Sequence, residues 1–213
     1  MAYSLTTARP SFKEASIAEI FDPLSNLFFI GNIDIRPTYI DNFDIRYETF
    51  SENAQLFAIS AFYKNLTDPI EIAFVAASFS NYKPLNLETA NVFGLEIELR
   101  KDLSTLFSTL EHWRINFNGS YIISDEKYSE DELKLRMLGL REGQSVGTSR
   151  PLQGQSPYLI NAGLEYNNQD KGFQGGLFYN VQGKTLQVLS LIHISEPTRR
   201  RGSSYGVFCL KKK

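Results

Sequence analysis

From Trp113 to Ile123 the chain reads W-R-I-N-F-N-G-S-Y-I-I. Trp113, Ile115, Phe117, Gly119, Tyr121 and Ile123 alternate with Arg114, Asn116, Asn118, Ser120 and Ile122. A period of two makes a β-strand with one apolar face and one polar face. The pattern returns about six more times, in segments of about ten residues, which is how a transmembrane β-barrel is written into a sequence. Residues 42–50 set Phe43, Ile45 and Tyr47 against Asp44, Arg46 and Glu48. Residues 91–101 oppose Phe93, Leu95, Ile97 and Leu99 to Gly94, Glu96, Glu98 and Arg100. Residues 158–167 and 173–183 alternate in the same way, and 3–7 reads as the end of a further strand. Residues 55–64 place Phe57, Ile59 and Tyr63 on one side but are mixed on the other.

The connections alternate in length. Residues 51–53 and 168–172 are short, 102–112 intermediate, and 12–37, 66–90 and 125–157 long. Compact soluble domains rarely hold three such loops without structure of their own, whereas outer-membrane barrels have short periplasmic turns and long outer loops. Ser11 and Glu14, and again Ser129 and Glu132, have the S-x-x-E spacing of a capping box, so each opens an expected helical turn. Ile17, Ile20 and Phe21 follow the first. The expected fold is all-β: about seven antiparallel strands in one open curved sheet, a transmembrane β-barrel fragment with long extracellular loops. Phe93, Ile97, Ile115 and Phe117 should then share the outer face. The competing fold is a soluble or surface β-sandwich that binds carbohydrate, in which those side chains would be covered by a second sheet.

On the barrel reading the apolar face, with Phe43, Ile45, Phe93, Leu95, Ile97, Ile115 and Phe117, meets lipid. Tyr47, Tyr63, Trp113, Tyr158 and Tyr166 lie toward strand ends as an interfacial aromatic girdle. Asp44, Arg46, Glu48, Glu96, Glu98, Arg100 and Arg114 line a polar lumen. No catalytic constellation stands out. Glu96 and Glu98 read as a wet wall rather than an acid–base pair, and His112 has no partner at metal-ligand spacing. No cofactor and no enzymatic activity are expected.

Leu189 to Arg199 reads L-S-L-I-H-I-S-E-P-T-R, which resembles the translation of a transposon-end adapter used to build sequencing libraries. Residues 204–213 resemble the far end of that adapter running into poly-A, with Gly206 as a departure. Residues 189–213 are therefore expected to be an artefact, not a domain, and to pack poorly. Setting aside Arg199, Arg200, Arg201, Lys211, Lys212, Lys213 and Glu196 moves the formal charge from −2 to −7. The basic C-terminus then gives no reason to expect nucleic acid. Cys209, the only cysteine, goes with it. No signal-peptide pattern opens the chain, and Met1 is expected to be an internal methionine of a longer reading frame. No run of eighteen apolar residues occurs, as expected when strands rather than helices cross the membrane.

Four stretches resemble the barrel of TonB-dependent outer-membrane receptors: Ala8-Arg9-Pro10-Ser11-Phe12, residues 32–44, residues 152–158 and residues 178–184. In the second, Ile33 stands where proline is usual and Thr38 where glutamate is usual. The resemblance implies that 1–188 is part of a larger barrel with a plug domain inside, resident in the cell outer membrane. It also implies import of a ligand with energy delivered through TonB. The implied partners are the bilayer, the receptor's own plug and remaining strands, TonB through a region outside this chain, and an imported ligand. The isolated piece, unable to close, is expected to be inactive. Genomic DNA amplified across codon 188 is expected to continue into sequence other than codons 189–213. Finding those codons intact in the chromosome would reject the adapter reading.

Overall fold

The computed structural model describes residues 1–23, 26–51, 55–75, 78–105, 107–128, 133, 137, 147, 149–186 and 205–212, with 74, 75, 78–80 and 205–212 as backbone. The described residues form thirteen strands: β1 (Ala2–Ala8), β2 (Glu19–Asp22), β3 (Leu27–Ile30), β4 (Thr38–Ser51), β5 (Gln55–Thr67), β6 (Ile70–Val75), β7 (Ser78–Asn86), β8 (Thr89–Asp102), β9 (Trp113–Lys127), β10 (Ser149–Arg150), β11 (Tyr158–Asn168), β12 (Phe173–Gln182) and β13 (Tyr205–Lys212).

Nine of them make one open, curved antiparallel sheet in the order β1-β4-β5-β8-β9-β11-β12-β13, with β10 paired to β9. The seven expected strands are all in it. Most run longer than their alternation suggests: β4 starts at Thr38 and β9 reaches Lys127. The register is unbroken over long stretches, from Leu56↔Arg100 to Thr67↔Thr89 between β5 and β8, and from Ala90↔Glu126 to Asp102↔Arg114 between β8 and β9. One slipped residue would exchange the two faces, so alternation and register enforce each other.

The long connections are not structureless, and residues 38–188 are not all consecutive neighbours in one sheet. β2 and β3 arise from the β1–β4 connection, β6 and β7 from the β5–β8 connection, and together they form a second sheet in the order β2-β3-β7-β6. A parallel β3–β7 contact, Phe28↔Asn81 and Phe29↔Tyr82, joins the two hairpins. Most buried residues lie at this end of the molecule: Phe29, Ile35, Ala73, Leu87, Ala90, Leu186, Glu71, Glu126 and Arg150.

The Ser11–Glu14 capping box forms. The Ser11 amide donates to Glu14 Oε2 at 2.7 Å and the Glu14 amide to Ser11 Oγ at 3.3 Å. It closes one turn, with Ala15 N on Ser11 O at 3.0 Å, and no helix follows. A single turn gains too few hydrogen bonds to propagate, and Ile20 and Phe21 pair with Phe29 and Phe28 across the β2–β3 hairpin. The Ser129–Glu132 box lies outside the described residues. So do Ile192 and Ile194 and the side chain of Phe208, by which packing of the tail would be judged. The backbone of β13 runs antiparallel to β12 from Phe173↔Lys212 to Asn180↔Tyr205.

Gly31 lies where the 11–18 segment crosses the hairpin. A Cβ there would stand 2.2 Å from Ser16 O and 2.8 Å from Lys13 O, both backbone atoms that cannot swing aside. Gly31→Ala is expected to cost about 1–3 kcal/mol, the range of overpacking, and to lift 11–18 off β3. Limited proteolysis of the whole protein checks this: faster cleavage within 11–18, with unchanged cleavage of the strands of the main sheet.

Candidate functional site

The register sorts the main sheet's side chains into two faces. On one face, Phe43 aligns with Tyr63, Phe93 and Ile123, and Ile45 with Ala61, Leu95, Tyr121 and Tyr158. Tyr47 aligns there with Ile59, Ile97 and Gly119, Leu99 with Phe117, and Ile115 with Leu164. These side chains are not covered by another sheet. Phe43 is 49% exposed, Ile45 48%, Leu95 43%, and Phe93 and Ile97 42%. A sandwich would bury them, so the β-sandwich alternative does not describe this chain.

The apolar face has polar limits that alternation did not reveal. Beyond the Phe43–Tyr63–Phe93 row comes Asp41–Asn65–Asn91–Asp125, on the same face two residues along. Tyrosines bridge the two rows: the Tyr3 hydroxyl donates to Asp41 Oδ1 at 2.7 Å and that of Tyr63 to Asn91 Oδ1 at 2.6 Å. The rings of Tyr3 and Phe43 are 4.8 Å apart and those of Phe43 and Tyr63 6.3 Å. Rings among apolar side chains with hydroxyls reaching a polar rim is the arrangement expected at a membrane–water boundary. At the other limit stands Lys101. From Asn91 to Lys101, strand steps of ~3.3 Å span roughly 33 Å, which stands about 25 Å tall at the usual barrel tilt.

Of the expected girdle, Trp113 and Tyr166 meet at the short-turn end, 5.1 Å apart, with Phe173 5.8 Å and His112 5.7 Å from Tyr166. Tyr63 and Tyr158 lie toward the long-loop end, and Tyr47 in mid-strand beside Ile59.

The opposite face holds all seven charged residues expected there, and it brings some of them together. Arg46 contacts Glu48 at 2.8 Å and Glu98 at 3.2 Å, and Arg100 is 3.9 Å from Glu98. Arg114 pairs instead with Asp102 at 2.7 Å, and Glu96 accepts from Ser60 at 3.1 Å. Asp44 shares the face but not the cluster. Charge-based reading missed an amide surface across β9, β11 and β12. Asn118, Asn161 and Asn180 align in one row, Asn180 Nδ2 donates to Asn161 Oδ1, and Asn116 donates to Glu165 at 2.8 Å. With Glu98, Arg100 and Phe178 they line a groove of about 360 Å³. The Phe178 ring lies over two glycines of this face: a Cβ on Gly163 or Gly176 would stand 2.9 or 2.8 Å from it.

Sequence reading also missed a buried ion cluster at the long-loop end. Arg150 of β10 places Nη1 2.9 Å from Glu71 Oε2 of β6 and 2.6 Å from Glu126 Oε2 of β9, and the three side chains are 2%, 3% and 0% exposed. Gln153 follows: its amide donates to Glu71 Oε1 at 2.6 Å, and its side chain accepts from Ile72 N at 2.8 Å and donates to Ile72 O at 3.2 Å. The same segment is tied to the main sheet by Leu152 N on Ser124 Oγ at 3.0 Å and Ser156 Oγ on Gly183 O at 3.1 Å. Nearby, burial and then the Asp22 charge hold the Tyr82 phenol above its ordinary pKa, so it stays neutral at physiological pH.

The family model for the TonB dependent receptor-like β-barrel matches residues 3–208. That match extends past residue 188 into the segment that resembles adapter sequence. No curated protein sequence matches the chain. Among solved structures, the siderophore receptor PirA from Pseudomonas aeruginosa superposes with a TM-score of 0.56 at 12% identity, over 98% of this chain and 31% of that one. A mutant of the ferric enterobactin receptor PfeA from the same organism gives 0.54 at 13% identity, over 97% of this chain and 28% of that one. The chain thus spans about a third of the length of these receptors. Uncovered apolar face, charged opposite face, alternating turns and loops, and a family match over most of the residues agree: the chain belongs to the TonB-dependent receptor-like β-barrel family.

Proposed function

We propose that residues 1–188 are a segment of the wall of an outer-membrane receptor that imports a ligand with energy delivered through TonB. The exposed apolar face between its two polar limits is the observation that carries the reading. On it, Phe43, Ile45, Phe93, Leu95, Ile97, Ile115 and Phe117 contact acyl chains, and Tyr63, Trp113, Tyr158 and Tyr166 sit at the two interfaces. Tyr47, in mid-strand, contacts lipid instead of an interface.

Asp44, Arg46, Glu48, Glu96, Glu98, Arg100 and Arg114 face the lumen and the receptor's plug domain. The amide row adds donors and acceptors suited to a polypeptide surface, because each carboxamide offers both. The long connections at 9–37, 68–88 and 128–157 face outward and meet the ligand. Alone, the 213-residue polypeptide has open edges at β1 and β13, and each unpaired backbone group in hydrocarbon costs several kcal/mol. The isolated segment is therefore inactive, and the function belongs to the whole receptor.

We further infer that residues 189–213 lie outside the receptor. The eleven-residue likeness to adapter sequence supports this. Pairing of β13 with β12 is compatible with it, since an open sheet edge presents a template to any extended backbone.

The test uses the intact receptor. Ile97→Lys, an ammonium in hydrocarbon, is expected to destabilise the folded barrel in membranes by roughly 2–4 kcal/mol, and Glu98→Lys, facing a polar lumen, by less than about 1 kcal/mol. Ile97→Cys should be shielded from water-soluble maleimide only in a bilayer. Equal shielding in natively folded, lipid-free and detergent-free protein would end the membrane reading.

A further inference from the structure

Three long connections leave the same end of the sheet, and each is bonded to the next. The first meets the second through β3 and β7, through Asn32 Nδ2 on Pro84 O at 3.1 Å, and through Arg36 and Asp68 at 2.6 Å. Asn86 completes that seam: its Oδ1 accepts from Arg36 N at 2.7 Å, and its Nδ2 donates to Arg36 O and Asp68 O, both at 2.9 Å. The second meets the third through Glu71–Arg150 and through Gln153 on the edge of β6. The third returns to the barrel rim through Arg150–Glu126.

We propose that Arg150 is the positioning residue of the receptor's outer mouth, joining the β2–β3 and β6–β7 hairpins and residues 149–157 to the β9 rim as one preformed surface for ligand. The inference rests on the receptor reading above. Buried ion pairs are a poor way to gain stability, since apolar side chains of similar volume would do as well or better. What the ions supply is placement. Glu71 is the second residue of β6 and Glu126 the penultimate residue of β9. Arg150 reaches both only when residues 149–153 lie between hairpin and rim in this one register, where Gln153 also meets Ile72. Remove the guanidinium and the contacts that hold β6 and β9 to the 149–153 segment are lost, so the hairpin and that segment separate. The β3–β7 seam then carries the loosening to the first connection. A mouth built this way meets its ligand already ordered, which removes part of the ordering cost of binding.

Hydrogen exchange on the intact, ligand-free receptor in outer-membrane vesicles tests this. In the wild type, amides in 27–30, 70–75 and 149–157 should exchange through one shared opening across a urea series, at lower urea than 91–101. In Arg150→Met all three segments should exchange at least ~100-fold faster while 91–101 is unchanged. Three unrelated openings in the wild type would overturn the proposal. So would an Arg150→Met effect confined to 149–157, or no effect at all. If that variant does not assemble, the wild-type urea series decides. Because the readout uses no ligand and no lipid contrast, failure here leaves the receptor reading standing, whereas failure of the Ile97 thiol test removes the receptor reading on which this proposal rests.

Discussion

Every N–H and C=O of a strand that faces hydrocarbon must be paired by a neighbouring strand, because no water is there to replace a missing partner. The main sheet of this chain is built in a way that meets that requirement. β4, β5, β8 and β9 are thirteen to fifteen residues long, and their ladders run without a break from the long-loop end to the short-turn end. With the ladder continuous, the only freedom left is which residue faces which way. Alternation settles that, and a slip of one would exchange Glu96 and Glu98 with Leu95 and Ile97 between the polar and apolar faces.

The same constraint places the buried core in an unusual position. A soluble sheet buries its apolar face; this one leaves that face open and buries side chains where its long connections fold back over one end. There the environment is polar, and the packing mixes Ala73, Leu87 and Leu186 with Glu71, Glu126 and Arg150. On the opposite face of the main sheet, close approach is managed with glycine and phenylalanine. Phe62 covers Gly94, where a Cβ would be 2.2 Å from the ring, and Phe178 covers Gly163 and Gly176. These pairings account for Phe62, an aromatic on the polar face of the least regular strand: its ring fills the space a glycine leaves on the neighbouring strand.

The main sheet was legible because a period of two is local: each strand declares its two faces within its own ten residues. Turn and loop alternation was legible for the same reason. The second sheet was not. β2, β3, β6 and β7 span four to nine residues, too short for a periodic signal, and the β3–β7 contact joins segments about fifty residues apart. The capping box at Ser11 and Glu14 was a true local signal that tertiary pairing cut short after one turn. Arg150 could not be singled out, because nothing near it in sequence announces Glu71 or Glu126, 79 and 24 positions away. The 152–158 stretch carries a likeness to a family in its sequence, and its physical reason is that Leu152, Gln153 and Ser156 close three separate seams.

Those seams change how the outer end of the sheet should be understood. Long barrel loops are expected to be the most mobile part of such a molecule, since few contacts oppose their conformational entropy. Here the first two connections share a sheet and the third reaches both the hairpin and the rim through charge-assisted contacts. A buried ion pair is more exacting than apolar packing, because its energy depends on the placement of both partners. The cluster therefore selects one arrangement of the mouth and penalises its neighbours steeply. A wall held by backbone ladders and a mouth held by buried ions are two solutions to one problem: keeping polar groups paired wherever water is excluded.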